Sequence, residues 1–182
     1  MTTHGMTATG WAPQVTEKRM SNVVQTATVV AAVGSGLMGG VFFAFSAFVL
    51  PALRALPAPE GIRSMQSINR TAVQPPLMFA LFATAAACVG LVVWAVRSWG
   101  RRGAAWTLAA AVTYLVADIV VTIGANVPRN DALAKVDANG TGAAREWTTF
   151  LDGWAPWNHV RTVGGLAACA LFVVAIIQSR ED

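Results

Sequence analysis

One stretch concentrates the side chains that could do chemistry. Residues 154–162 read "WAPWNHVRT", and they bring Asn158, His159 and Arg161 together between two tryptophans and a long apolar run. Histidine changes charge near neutral pH and can take a proton from a bound molecule, so His159 is the candidate base. Arg161 and Asn158 can donate hydrogen bonds to an oxyanion as it develops. Trp154 and Trp157 can cover a flat aromatic ligand, or serve as anchors at a membrane boundary. At helical spacing Asn158, Arg161 and Thr162 share a face, and His159 lies one step round from it. Further polar groups gather near other segment ends: Asn69 and Arg70 in one place, Asn126, Arg129, Asn130 and Asp131 in another. Asn69, Asn126, Asn130, Trp154, Trp157 and Tyr114 are therefore candidates to line a small-molecule pocket.

Asp118 is the one acid deep inside an apolar run, with Tyr114 and Thr122 four residues to either side. A carboxylate at the centre of a bilayer costs about 2.5–3.5 kcal/mol, so it needs a partner. By helix rise Asp118 lies roughly 11 Å inside the membrane and Arg161 roughly 6 Å, from the same side. A structural polar network of Asp118, Arg161 and Asp131 is the expectation. The simpler reading of "WAPWNHVRT" is a snorkelling Arg161 and an Asn158 that caps its helix.

Several chemistries find no residues. Histidine occurs at His4 and His159 only, which leaves no bis-histidine haem pair. There is no Glu-x-x-His for a di-iron centre, no His and Cys cluster for zinc, and no glycine-rich dinucleotide fingerprint. Cys88 and Cys169 lie apart in apolar runs, so no C-x-x-C redox pair exists. What is left is chemistry without an organic cofactor or metal. A mononuclear metal on His159 with Asp131 or Asp118 is the other arrangement these residues allow.

The elements that must position these groups are membrane helices. Of 182 residues, 55% are apolar and 12% charged, about half the charge of a soluble domain. The net charge of +4 is spread along ends and loops, which argues against nucleic-acid binding. Four apolar runs, at about 23–50, 72–96, 104–125 and 157–177, are each long enough to cross a bilayer, and lipid requires them to be helical. The fold class expected is all-α: a four-transmembrane-helix bundle with short interfacial helices in the two long loops. Ile62, Met65 and Ile68 or Asn69 fall on one side of the first of these helices. Trp147, Phe150, Leu151 and Trp154 fall on one side of the second. Residues 1–21 read as a mobile tail, 22–178 as the membrane domain and 179–182 as a short C-terminal tail. Asn126 and Pro128 read as the stop of the third span.

Small residues four apart, Gly36 with Gly40, Ala83 with Ala87 and Gly165 with Cys169, let helices approach closely. The Gly36/Gly40 face suits either packing within the bundle or a homodimer. Arg97, Arg101 and Arg102 crowd one short loop, which points to cytoplasmic termini and extracytoplasmic long loops.

Three segments, "GVFFAFSAFVLPAL", "NVPRNDAL" and "WAPWNHVRT", make the chain resemble the anthrone oxygenase-like family of small four-helix membrane proteins. The resemblance extends from about Val23 to Ile177. It implies a membrane protein that oxidises an anthrone-like, or by extension quinol-like, aromatic substrate with dioxygen; the plasma membrane is the expected location. The rival expectation is a non-enzymatic protein that binds a lipid or hydrophobic ligand, or an accessory subunit of a membrane complex.

Overall fold

A computed structural model describes residues 20–180, and the expected N-terminal tail falls almost wholly outside them. Five helices make up the fold of the described residues. Helix α1 runs Asn22–Arg54, α3 Leu77–Arg97, α4 Ala104–Ala134 and α5 Ala143–Gln178, and all four are long and apolar enough to cross a membrane. Helix α2, Ala58–Ala72, lies between α1 and α3. The fold class is thus all-α, with four membrane-spanning helices.

The four long helices form a ring in the order α1, α5, α4, α3, each packing along its neighbours. Their shared core includes Met38 and Phe42 of α1, Leu81 and Cys88 of α3, Tyr114 of α4 and Phe172 of α5. The outer faces carry Phe43, Phe79, Ile123 and Val163, all exposed, as suits helices whose solvent is hydrocarbon. The ring is drawn tight by glycine. A Cβ on Gly39 would come within 2.8 Å of the Leu166 amide nitrogen, and one on Gly164 within 2.0 Å of the Ala117 methyl. The α1–α5 and α4–α5 crossings therefore need hydrogen at these positions. Gly36 lies against Cys169 of the same chain, so it faces inward, while Gly40 meets nothing within 4 Å.

Three segments depart from what the sequence pattern suggests. The third span does not stop at Asn126 and Pro128: α4 runs on to Ala134 through π-helical turns at Leu115–Val120 and Thr122–Asn126. Pro128 sits within the first turn after the π segment, where its missing N–H leaves little unpaired. The aromatic stretch before the fourth span is no separate helix, because α5 is continuous over 36 residues with Pro156 inside it. Helix α1 also contains a π turn, at Phe45–Val49.

The extended end of α5 and the α2 helix close one end of the ring. Ile62 and Met65 of α2 bury against Trp147, Phe150, Leu151 and Trp154 of α5 and Leu133 of α4. A Cβ on Gly61 would stand 2.7 Å from the Trp147 ring, which shows how closely α2 is seated. Gln66 donates from Nε2 to the carbonyls of Leu133 and Val136, at 2.9 and 3.0 Å. The four aromatic and aliphatic residues of α5 are thus the core of a cap.

Candidate functional site

A cavity of about 190 Å³ lies beneath this cap, between α1, α3, α4 and α5. Its wall is mainly apolar, with Met38, Phe42 and Phe45 from α1 and Leu77, Leu81 and Phe82 from α3. Its polar lining is sparse: Asn69, Thr122, Asn130 and Arg161, with the Trp154 indole beside them.

Arg161 dominates this lining. The residue is 5% exposed, on a helix that crosses the membrane region. Its guanidinium carbon lies 4.1 Å from the centre of the Phe42 ring and 5.0 Å from that of Trp154. Both distances suit a cation–π contact, which gains strength away from water. Arg161 donates from Nη2 to Asn158 Oδ1 at 2.8 Å and from Nη1 to Thr122 Oγ1 at 3.3 Å. Its Nε has no partner within the protein, nor does Nδ2 of Asn69, although both atoms are buried. Two donors without acceptors thus belong to residues lining one apolar cavity. A buried polar group left unpaired is costly, and Asn126 Oδ1 and both Asp118 oxygens are buried without partners as well.

Asn158 explains how the arginine is fixed. Fully buried, it donates from Nδ2 to the Phe42 carbonyl and to Ser46 Oγ, each at 2.8 Å. Ser46 Oγ also lies 2.8 Å from His159 Nδ1 and 3.2 Å from Thr162 Oγ1. The π turn that begins at Phe45 brings Ser46 to this meeting point. A hydrogen-bonded chain therefore runs from His159 through Ser46 and Asn158 to Arg161.

The structure unites some of the expected site residues and separates others. Asn69, Asn130, Trp154 and Arg161 share the cavity wall, and Trp154 Nε1 donates to Asn130 Oδ1 at 2.8 Å. Asn126 is buried behind them and donates to the Trp154 carbonyl at 3.3 Å, with its own Oδ1 unpaired. His159 is exposed and does not line the cavity, contrary to the expectation of an enclosed base. The reason is rotational: α5 turns Asn158 and Arg161 inward, and the next residue falls on the outer face. Trp157 is exposed for the same reason. Tyr114 is fully buried and donates to the Leu81 carbonyl at 3.1 Å, which makes it a core residue and not part of the cavity wall.

The expected acidic network is met in part: the buried Asp118 and Arg161 charges act on each other, but without a hydrogen bond between them and without Asp131. Asp131 is exposed. Asp118 is fully buried, yet neither of its oxygens has a hydrogen-bond partner, while Arg161 gives its bonds to Asn158 and Thr122. Asp118 faces the glycine crossing: its Oδ1 would be 3.1 Å from a Cβ on Gly165. Among the described residues no three His, Cys, Asp or Glu side chains converge. Sequence reasoning missed Ser46, Phe42 and Thr122 as parts of the site. Thr122 was visible four residues from Asp118; Phe42 and Ser46 lie inside the stretch "GVFFAFSAFVLPAL", but neither spacing nor charge singled them out.

The fold and cavity define a class: a four-helix membrane bundle with a capped, mostly apolar pocket around a buried, stacked arginine. The sequence model of the anthrone oxygenase family matches residues 69–171, more than half of the chain, and the protein belongs to that family. The matched segment holds Asn69, Asn130, Trp154, Asn158 and Arg161, whereas Phe42 and Ser46 precede it. No curated protein and no solved structure matches the chain.

Proposed function

We propose that the protein is a membrane oxygenase that binds a flat, anthrone- or quinol-like phenol in the capped cavity and oxidises it with dioxygen. The observation that carries this reading is the Arg161 guanidinium, stacked on Phe42 and Trp154, in a residue that lines an otherwise mainly apolar cavity. An anthrone-type substrate that loses a proton becomes an enolate, with charge on oxygen and carbon. Arg161 and Asn69 would hold that oxygen, and a fixed donor of this kind contributes about 10²–10³ in rate. The carbanion carbon then gives an electron pair to dioxygen and forms a C–O bond. The resulting hydroperoxide loses water: CH₂ and O₂ become C=O and H₂O. Apolar walls such as Phe45 and Trp154 would keep other water from the reactive carbon.

This scheme needs neither an organic cofactor nor a metal. His159, outside the cavity, receives a supporting part in place of the base: its contact with Ser46 steadies the hydroxyl that holds Asn158, and Asn158 holds Arg161. The Arg161 cation favours the anionic form of the bound phenol, and the proton released is taken up again by the peroxide anion as it becomes the hydroperoxide. We also place the protein in the plasma membrane with both termini cytoplasmic, on the density of Arg97, Arg101 and Arg102 in one short turn.

The test is dioxygen uptake by the purified protein in lipid nanodiscs, with emodin anthrone and a set of quinols as substrates. Uptake that is matched by quinone formation and lost in Arg161→Gln supports the reading. Ligand binding with no uptake above the protein-free rate would overturn it in favour of a binding protein.

A further inference from the structure

We propose that the cavity is loaded sideways from the bilayer, through a portal between α3 and α4 near the cap. Its rims are Val73 and Phe82 on one side and Ile123 and Val127 on the other. The ligand it admits is a membrane-dissolved aromatic molecule with an acceptor oxygen. The inference rests on the cavity being the ligand site, and not on what happens to the ligand there.

Two observations point to this route. The first is that the end of the cavity facing the water is closed. Met65 and Ile68 of α2 line its roof, and above them Ile62 and Met65 are packed into the aromatic cluster of α5. Gln66 ties α2 to the carbonyls at the end of α4, and Arg63 donates to Asn139 beyond it. A polar route from that side would have to break these bonds and open an apolar core. The second is that four residues of the cavity wall are also outer-surface residues. Val73 is 67% exposed, Phe82 56%, Ile123 62% and Val127 40%. Residues that face a cavity and the surroundings at once border an opening. Phe82 lies about 8 Å along α3 from its first residue, by helix rise. The opening therefore belongs to the apolar zone of the bundle and faces acyl chains.

The occupant follows from the two sides of the portal. An apolar molecule concentrated in the bilayer reaches the rim without crossing water. Inside, Asn69, Thr122, Asn130 and Arg161 are the polar residues of a mainly apolar lining, so a molecule with an oxygen acceptor is retained better than a plain hydrocarbon chain. The π turns of α4 contribute to the rim, since Ile123 lies within Thr122–Asn126. Such turns widen a helix locally and are frequent at functional sites.

Photolabelling tests the portal without any turnover. A small aryl diazirine is dissolved in proteoliposomes, illuminated, and its adducts are mapped by peptide mass spectrometry. Adducts are expected on Met38 and Met65, which are each 1% exposed yet line the cavity. Phe172 is equally buried but lies away from the cavity and should stay unlabelled, which separates access through the portal from general opening of the bundle. The double change Val73→Phe with Ile123→Phe should lower the interior adducts severalfold while lipid-facing Phe43 keeps its label. Both plugs sit at exposed positions, and Ile123→Phe alone serves if the pair disturbs folding. Adducts confined to lipid-facing residues would overturn the portal. So would interior labelling that the plugs leave unchanged, or interior labelling by a water-soluble diazirine that rises in the cap-loosening Gln66→Ala variant to the level of the membrane probe. Oxygen uptake by the unplugged protein reads the catalytic proposal separately, so either idea can fail alone.

Discussion

Replacing Asn158 should clearly destabilise the bundle, because three hydrogen bonds meet on its amide. It donates to the Phe42 carbonyl and Ser46 Oγ, and it accepts from Arg161, each at 2.8 Å. Interhelical hydrogen bonds in membrane bundles average about 0.6 kcal/mol, which makes three worth roughly 2 kcal/mol. The bond from Arg161 is charge-assisted, and such bonds reach about 1.5–3 kcal/mol, so the upper end lies near 4 kcal/mol. The change to be made is Asn158→Leu, which keeps most of the volume and so removes the bonds without opening a large void. Asn158→Asp should lose less, since a carboxylate still accepts from Arg161 while the two donated bonds disappear. Unfolding in mixed micelles, followed by tryptophan fluorescence, measures both variants against the parent chain. The double change with Ser46→Ala adds a coupling test: the two losses should sum to less than their separate values, because they share one bond. A destabilisation of Asn158→Leu below about 0.5 kcal/mol, the range of ordinary surface changes, would refute the hub assigned to this residue.

Other consequences can be checked in the same preparations. Gly39→Ala places a Cβ 2.8 Å from the Leu166 nitrogen, so α1 and α5 must part, at a cost of about 1–3 kcal/mol in the micelle assay. Gly40→Ala meets no atom within 4 Å and should unfold with the parent chain. Gly61→Ala drives a methyl into the Trp147 ring and should loosen the cap, read as faster proteolysis between α4 and α5 with the bundle intact. His159→Gln can still bond Ser46 and should keep turnover within about tenfold of the parent, whereas Arg161→Gln should lose about 10²–10³. A loss in His159→Gln as large as that in Arg161→Gln would restore the histidine as base. For orientation, Thr141→Cys should react with an impermeant reagent on intact cells and Trp99→Cys should not, in a background lacking Cys88 and Cys169; the reverse pattern would invert the topology.

The sequence was informative wherever lipid limits the choices. Four apolar runs of spanning length can be little else than helices when no water is present to pair the backbone. Helical periodicity also joined the inward stripe of α5: Trp154, Asn158, Arg161, Thr162 and Gly165 recur at three- and four-residue steps, and all are buried. Periodicity does not say which stripe faces the bundle. That was decided by close packing, since Gly165 lies on Gly39 and Gly164 on Ala117. This rotation sends Arg161 to the cavity and His159 to the outside. Hydrogen-bond partners were equally out of reach. A π turn leaves no mark that a count of apolar residues detects, yet the one at Phe45–Val49 carries Ser46 to Asn158, 112 positions away. The helix ends were misjudged for a related reason. Pro128 reads as a boundary and the fourth span as beginning near 157, but tertiary packing of the cap extends both helices across these points, and a proline near a π turn or a buried aromatic cluster costs less than the contacts the longer helix makes. Local chemistry thus named the residues of this site. The angle of α5 against its neighbours chose which of them share it.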